Sequence, residues 1–372
     1  MGTILHLTTV HPRSDTRILI KEAQALATHL PHKVLLMVAD GKGDVNEGHG
    51  RVSIHDLGRL DGGRLHRASI GPWRAFSAIR RLRPALVHFH DPELIPLGVF
   101  LKVIGYKVVY DVHEDVPRQI LSKHYLPRTF RNSIAWVMSA AEWFGAKAFD
   151  AMVPATPKIA DRFPASKTVT VHNFPIATEL VCPSPIPYDE RPPCFVYTGV
   201  IATIRGIVET VRACSNIPGA RLDLAGTFSP HGFVNTLRAL PGWASVNYHG
   251  EVSRQQIAHL LGGARAGLVL HHPVPNEIDA QPIKMFEYMS AGLPIIASDF
   301  PLLRRIIEGA GCGLMADPLS PKAIEEAMRW ILAHPTEAEA MGRRGRQAVE
   351  QTYNWDAEAA KLIGLYNKLL AR

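Results

Sequence analysis

Short apolar runs rich in Val, Ile and Leu recur along the first half of the chain. "ILHLTTV", "KVLLMVA", "ALVHFH", "KVVYDV", "DAMV" and "TVTVH" have the length and composition of strands. Between them lie segments such as "TRILIKEAQALATHL", whose apolar residues return at helical spacing. Near-continuous apolar strands alternating with helices predict a parallel sheet covered on both faces. The pattern breaks at "CPSPIPYDERPPC", residues 182–194, where proline density disfavours both helix and central strand. It then resumes with "FVYTG", "RLDLAG", "SVNYHG", "GLVLHH", "PIIASD" and "GLMAD". The expected architecture is α/β, with two Rossmann-like doubly wound domains facing an interdomain cleft. Residues 1–181 form the first domain, 182–194 a linker and 195–352 the second domain. Residues 353–372, "WDAEAAKLIGLYNKLL" among them, form an amphipathic helix that packs back toward the first.

Within this frame, "QPIKMFEYMSAGLPIIASD" (281–299) carries chemistry. Pro282 suits a helix start, and Gly292 with Pro294 ends the helix before a strand. Lys284 and Glu287 then project from one face, one turn apart. A helix N-terminus favours anions, Lys284 reinforces it, and the Glu287 carboxylate can accept hydrogen bonds from paired sugar hydroxyls. A surface salt bridge between the two is the competing reading. The preceding "LVLHHPVPNEIDAQP" is too polar and Pro-rich for core, which suits a ligand-lining loop. "FVYTGVIATIRGIVETVRA" places Gly199 after a strand and Arg205 at a helix start, where glycine admits close approach and arginine favours phosphate. Glu251, after "SVNYHG", joins these donor-side candidates.

In the first half, "VVYDVHEDVP" sets His113 and Glu114 just past a strand end, and "HFHDPEL" does the same for His90. "TTVHPRSDTRI" offers His11, Asp15 and Arg17 after the first strand. Packed histidines are the plain alternative. The His spacing lacks an HxxxH pair, so a metal is not expected. Neither a GxGxxG after the first strand nor a Walker motif occurs, which disfavours dehydrogenase and P-loop chemistry.

Composition narrows the class further. With 47% hydrophobic and 20% charged residues, the chain can bury large cores. Four scattered cysteines suggest reduced thiols, and "MGTILHLTTV" enters a strand directly, so a cytoplasmic location is expected. The charge of +7 is lopsided: residues 1–180 hold 23 Lys/Arg against 16 Asp/Glu, and the remainder balances. One domain therefore favours an acidic partner, although no nucleic-acid module is present.

"GVIATIRGI", "PIKMFEYMSAGLPIIASDFP" and "MGRRGRQAVEQTYNWDAEAAKLIGLY" resemble the retaining GT-B glycosyltransferases of group 1 (glycosyltransferase family 4). "VHPRSDTRILIKEAQAL", "VHFHDPELIPLG" and "VVYDVHED" resemble its bacterial surface-polysaccharide branch. The resemblance implies a nucleotide-diphosphate sugar donor in the second domain, a glycan or lipid-linked glycan acceptor in the first, and no cofactor or metal. It assigns Arg205 and Lys284 to the donor diphosphate, Glu287 to the ribose and His113 to the donor sugar. Asp15, Arg17, His90 and Glu114 are candidates on the acceptor side. The family's first glutamate, eight positions before Glu287, is Asp279 here, with Glu277 or backbone groups as substitutes. A basic residue usual after the strand-end glycine is replaced by Val200. These two departures motivate a non-catalytic binding subunit as an alternative, and a sugar-nucleotide 2-epimerase shares the architecture. "RLHRASIGPWRAFSAIRRLRP" and "SKHYLPRTFRNSIAWVMSAAEWFGAK" mix basic and aromatic residues, as helices docking on anionic membrane do.

Overall fold

The computed structural model of the protein describes residues 2–48, 51–121 and 127–371. Its residues fall into two compact units: Met1–Asn173 with Asp356–Arg372, and Phe174–Trp355. The first unit contains β1 (Thr3–Leu7), β2 (Lys33–Val38), β3 (Val45–Gly48), β4 (Val52–Asp56), β5 (Leu86–Phe89), β6 (Val108–Val112) and β7 (Ala151–Pro154). They form one sheet in the order β3-β4-β2-β1-β5-β6-β7, parallel except for the edge strand β3. The strands β5, β6 and β7 are buried along their whole length, as strands covered by helices on both faces must be.

In the second unit lie β8 (Cys194–Thr198), β9 (Arg221–Ala225), β10 (Val246–Gly250), β11 (Ala266–Val269), β12 (Ile295–Ser298) and β13 (Gly313–Ala316). The sheet is all parallel in the order β10-β9-β8-β11-β12-β13. Its alternating side chains feed two cores: Phe195, Tyr197, Leu222 and Leu268 on one face, and Val196, Val269, Ile295 and Ala297 on the other. Both sheets are doubly wound, as the sequence pattern predicts.

Three local expectations differ from what is found. "TVTVH" is not a regular strand: it makes an isolated bridge at Thr168, and Val169 and Val171 donate to β7. Side chains take two of its other backbone groups, with Arg17 donating to Val171 O and Glu358 accepting from His172 N. The segment after β1 begins as a π-helical run, Thr16–Ala23, before turning α-helical at Gln24–His29. The proline-rich stretch 182–194 is not an unpacked linker, because it packs on the second unit. Tyr188 is buried there and Arg191 donates to Ala264 O at 2.8 Å. The chain changes unit earlier, at Asn173.

The C-terminal helix, Trp355–Leu370, buries Leu362 and Tyr366 in the first unit. All four cysteines are free and buried. Among the described residues no helix is long and apolar enough to cross a membrane.

Candidate functional site

In the second sheet, β8 and β11 are neighbours whose onward connections run to opposite sides, toward β9 and toward β12. Such a switch point leaves a crevice at the carboxyl ends of the two strands, where ligands of open α/β sheets bind. Gly199 ends β8 with φ at +113°, a conformation few side chains tolerate, and a Cβ there would lie 3.3 Å from Lys284 Nζ. The chain continues through the short turn Thr203–Arg205 into the helix Ile207–Ser215. This turn delivers Arg205 to the end of β11. Its Nη1 donates to Glu277 at 2.6 Å and lies 3.0 Å from His271 Nδ1.

The helix Ile283–Ser290 starts one residue after Pro282 and buries Met285, Phe286, Tyr288 and Met289. Tyr288 accepts from Thr198 N at 2.8 Å, which locks the helix to the end of β8. Lys284 lies on the helix face away from that core. Its Nζ donates to Tyr197 Oη at 2.7 Å and sits 3.9 Å from the centre of the same ring. Burial, followed by the charge of Arg205, pushes the Lys284 ammonium down to about 7. The salt bridge seen for Glu287 is with Arg254, at 2.8 Å, and Arg254 also holds Glu179 with two bonds of 2.8 Å.

Glu277 is the acid tied to Arg205. Burial alone would raise its carboxyl, but bonds from His271 and Arg205 outweigh that and hold it below its ordinary value. Burial also lowers His271 to about 4, so the imidazole is neutral at pH 7. Asp279 ends the short helix Pro275–Ile278 and is half-buried. Gly199, Arg205 and Lys284 therefore converge, Glu287 is engaged by Arg254, and Glu251 stands exposed after β10, the edge strand separated from β8 by β9. Val200, where a basic residue is usual in the resembled family, is half-exposed.

The first sheet has its own switch point between β1 and β5. Asp91 ties these strand ends together, accepting from Thr8 Oγ1 at 3.0 Å and Thr9 N at 2.5 Å. Asp15 caps the π-helical run through Arg17 N and Ile18 N, and pairs with His11 at 3.1 Å. Burial works against the Asp15 carboxylate, yet the His11 and backbone bonds bring it down to about 2. Arg17 and His90, expected on the acceptor side, are enclosed instead. Arg17 forks onto Asp111 at 2.8 and 3.1 Å, and His90 Nδ1 lies 3.0 Å from the same carboxylate. Both residues thus brace the strand ends instead of lining a surface. Glu114 is exposed and accepts from Gln119. His113, half-buried after β6, holds Asp111 through Nε2 at 2.9 Å, leaving Nδ1 for a ligand.

Tyr197, His271, Arg254 and Glu179 escaped the sequence reading. Tyr197 looks like any strand residue, and Arg254 and Glu179 meet only because the fold joins them 75 positions apart. The pair "HH" after β11 is the one local signal that could have flagged His271.

Two parallel doubly wound units with polar residues gathered at each switch point define the GT-B fold. Residues 205–364 match the family model described as glycosyl transferase-like. The chain is 20% identical over 306 residues to the MMP alpha-(1->4)-mannosyltransferase of Mycolicibacterium hassiacum, which is 76% of this chain and 71% of that one. Sucrose-phosphate synthase from Thermosynechococcus elongatus superposes with a TM-score of 0.79 at 18% identity, covering 100% of both chains. Anabaena HepE in complex with UDP superposes with a TM-score of 0.73 at 11% identity, covering 99% of this chain and 100% of that one.

Proposed function

We propose that the protein is a retaining glycosyltransferase that moves a sugar from a nucleotide-diphosphate donor to a glycan or lipid-linked glycan in bacterial polysaccharide or glycoconjugate synthesis. The observation that carries this reading is the convergence of Gly199, Arg205 and Lys284 at the second switch point. A glycine without a Cβ admits a diphosphate against the backbone, and two cations face the place where it would lie. As the sugar–phosphate bond breaks, negative charge grows on the leaving diphosphate, and fixed cations stabilise that transition state more than the ground state. Arg205 would exchange part of its bond with Glu277 for phosphate oxygens. Glu287, steadied by Arg254, would accept from the ribose hydroxyls through its second oxygen. On the first unit, His113 Nδ1 would hydrogen-bond a sugar. The mannosyltransferase likeness and the UDP-bound structural neighbour support a nucleotide-sugar donor.

The test is a thermal-shift screen of nucleoside diphosphates and sugar nucleotides, followed by turnover with the donors that bind. A ligand of the folded state raises the melting temperature by mass action, by about 2.7 kcal/mol at 100 times its Kd. Donor binding with sugar release or transfer supports the reading. Binding without turnover in any acceptor mixture would leave a binding subunit, and conversion of the donor by itself to an epimer would replace transfer with epimerisation.

We further propose that the first unit docks on anionic lipid. The helix Arg128–Ala148 exposes Phe130, Trp136, Trp143 and Phe144 by half or more of their surface, beside Arg131 and Lys147, and Trp73 is exposed likewise. The first five residues of the aromatic, basic stretch that suggested this, 122–126, lie outside the described residues. Exposed aromatics with cations nearby suit an interface of headgroups and acyl chains.

A further inference from the structure

The core of the first unit gathers chemistry that glycosyl transfer does not use. His88 lies on β5 and His90 follows two residues on, just past its end, so both fall on one face of the sheet. The register of β1 against β5 sets His6 directly opposite His88. Glu22 comes to the same face from the π-helical run Thr16–Ala23, and all four residues are at most 3% exposed. We propose that His6, Glu22, His88 and His90 form a closed, structural zinc site.

Geometry supports it first. Each residue offers one ligand atom, and these atoms all lie within 4.8 Å of one another. Nδ1 of His6 is 3.0 Å from Nε2 of His90 and 4.0 Å from Glu22 Oε2. Tetrahedral zinc with bonds of about 2.0–2.2 Å places its ligand atoms roughly 3.3 Å apart, so small shifts would close the set.

Unpartnered atoms support it independently. Oε2 of Glu22 and Nε2 of His88 are buried without a hydrogen-bond partner. Buried polar atoms left so are uncommon and ask for an explanation. A cation among them would supply one for Glu22 Oε2 and His88 Nε2. Glu22 Oε1 has the Arg17 guanidinium 3.0 Å away, which leaves Oε2 for the metal.

Partners for the outward ring nitrogens are already in place. A ligating histidine normally has its other ring nitrogen held by a carboxylate or another polar group. Here His90 Nδ1 meets Asp111 at 3.0 Å, His88 Nδ1 meets Tyr366 Oη at 2.7 Å, and the same hydroxyl is 3.5 Å from His6 Nε2. Those partners leave His88 Nε2 facing the shared centre with His90 Nε2 and His6 Nδ1, which bond each other at 3.0 Å, a bond the ion would replace. A second trio, His90 with Asp111 and His113, would compete with Arg17 for Asp111, and that fork is already formed.

Three imidazoles and one carboxylate make a nitrogen–oxygen set suited to zinc. With four protein ligands and no solvent access, no position stays open for substrate, so the ion would staple β1, β5 and the π-helical run together.

The test is metal analysis of untagged full-length protein purified from zinc-supplemented cells, with a parallel preparation from cobalt-supplemented cells. The expected result is a single zinc per chain, visible absorption of tetrahedral cobalt in the second preparation, and a lower melting temperature after chelation. Glu22→Gln and His88→Ala should lose the ion. If either fails to fold, Tyr366→Phe keeps all four ligands and should release zinc to a chelator at 10–100-fold lower chelator concentration. Protein that carries no zinc or cobalt and melts alike with and without chelator overturns the proposal. So does stoichiometric metal that all three variants retain unchanged.

Discussion

Lys284 sits where opposing influences meet: burial and Arg205 disfavour its charge, whereas Glu287 and Glu277 favour it. With its pKa at about 7, a bound diphosphate would draw a proton onto it. Affinity for a sugar nucleotide, whose diester phosphates do not titrate here, should therefore be full below pH 7. It should weaken as pH rises above 7, by up to tenfold per unit until the pKa of the complex is passed. Calorimetric titration between about pH 6 and 9 measures this; Lys284→Met should bind more weakly and lose the slope, and a flat profile for the unmodified protein would contradict the assignment. For turnover, Lys284→Ala should cost about 10²–10³-fold in kcat, the scale for removing one fixed charge-stabilising donor. Glu287→Ala should cut turnover as well, with the melting temperature reporting how much of the loss is structural through Arg254. The i,i+3 spacing made the Lys284–Glu287 pair visible in the sequence. Their actual partners, Tyr197 and Arg254, were not visible, because 87 and 33 residues of chain separate them.

Strand ends and helix faces carry the next layer. Gly199 holds β8's exit at a positive φ beside Lys284, so Gly199→Ala should cost about 1–3 kcal/mol in denaturant unfolding and weaken donor binding. Equal stability in the variant would show that the turn relaxes freely. The helix Arg128–Ala148 was legible as an amphipathic basic helix, but a pattern of aromatics does not reveal which of them pack inward. The fold answers that: Phe130, Trp136, Trp143 and Phe144 of this helix are all exposed, whereas in the other basic stretch Phe76 packs against the core and Trp73 is exposed. Trp136→Asp with Phe144→Asp should abolish co-sedimentation with phosphatidylserine vesicles at unchanged melting temperature. Binding by the unmodified protein should weaken as salt rises. Vesicle binding that survives both substitutions would place the contact elsewhere.

The chain builds one unit, crosses at Asn173 into the second, and returns at Asp356 to complete the first. Completion is energetic as well as topological, since Leu362 and Tyr366 are fully buried and Glu358 holds His172 N at 3.0 Å. Leu362→Ala should destabilise the first unit by about 2–5 kcal/mol, the usual cost of a buried leucine, with the transition of the second unit unmoved. Calorimetry with and without a bound nucleotide distinguishes the two transitions, because a ligand of the second unit raises only that one. The proline-rich stretch 182–194 lies within the second unit for a plain reason: proline excludes regular structure, and it does not exclude packing.

Although β3 and β4 lay outside the strand runs it marked, periodicity alone determined most of the alternation of strand and helix, the parallel core of each sheet and the strand ends that carry polar residues. These follow from local hydrophobic patterns, which the backbone geometry of each element reads directly. Only the tertiary structure decided which of those residues meet. It joined Arg205 to Glu277 and His271, enclosed Arg17 and His90 that looked available, and brought His6, Glu22 and His88 onto one buried face with Tyr366 behind them. Strand order and register set these meetings, and both arise from packing across long stretches of chain that no local window contains.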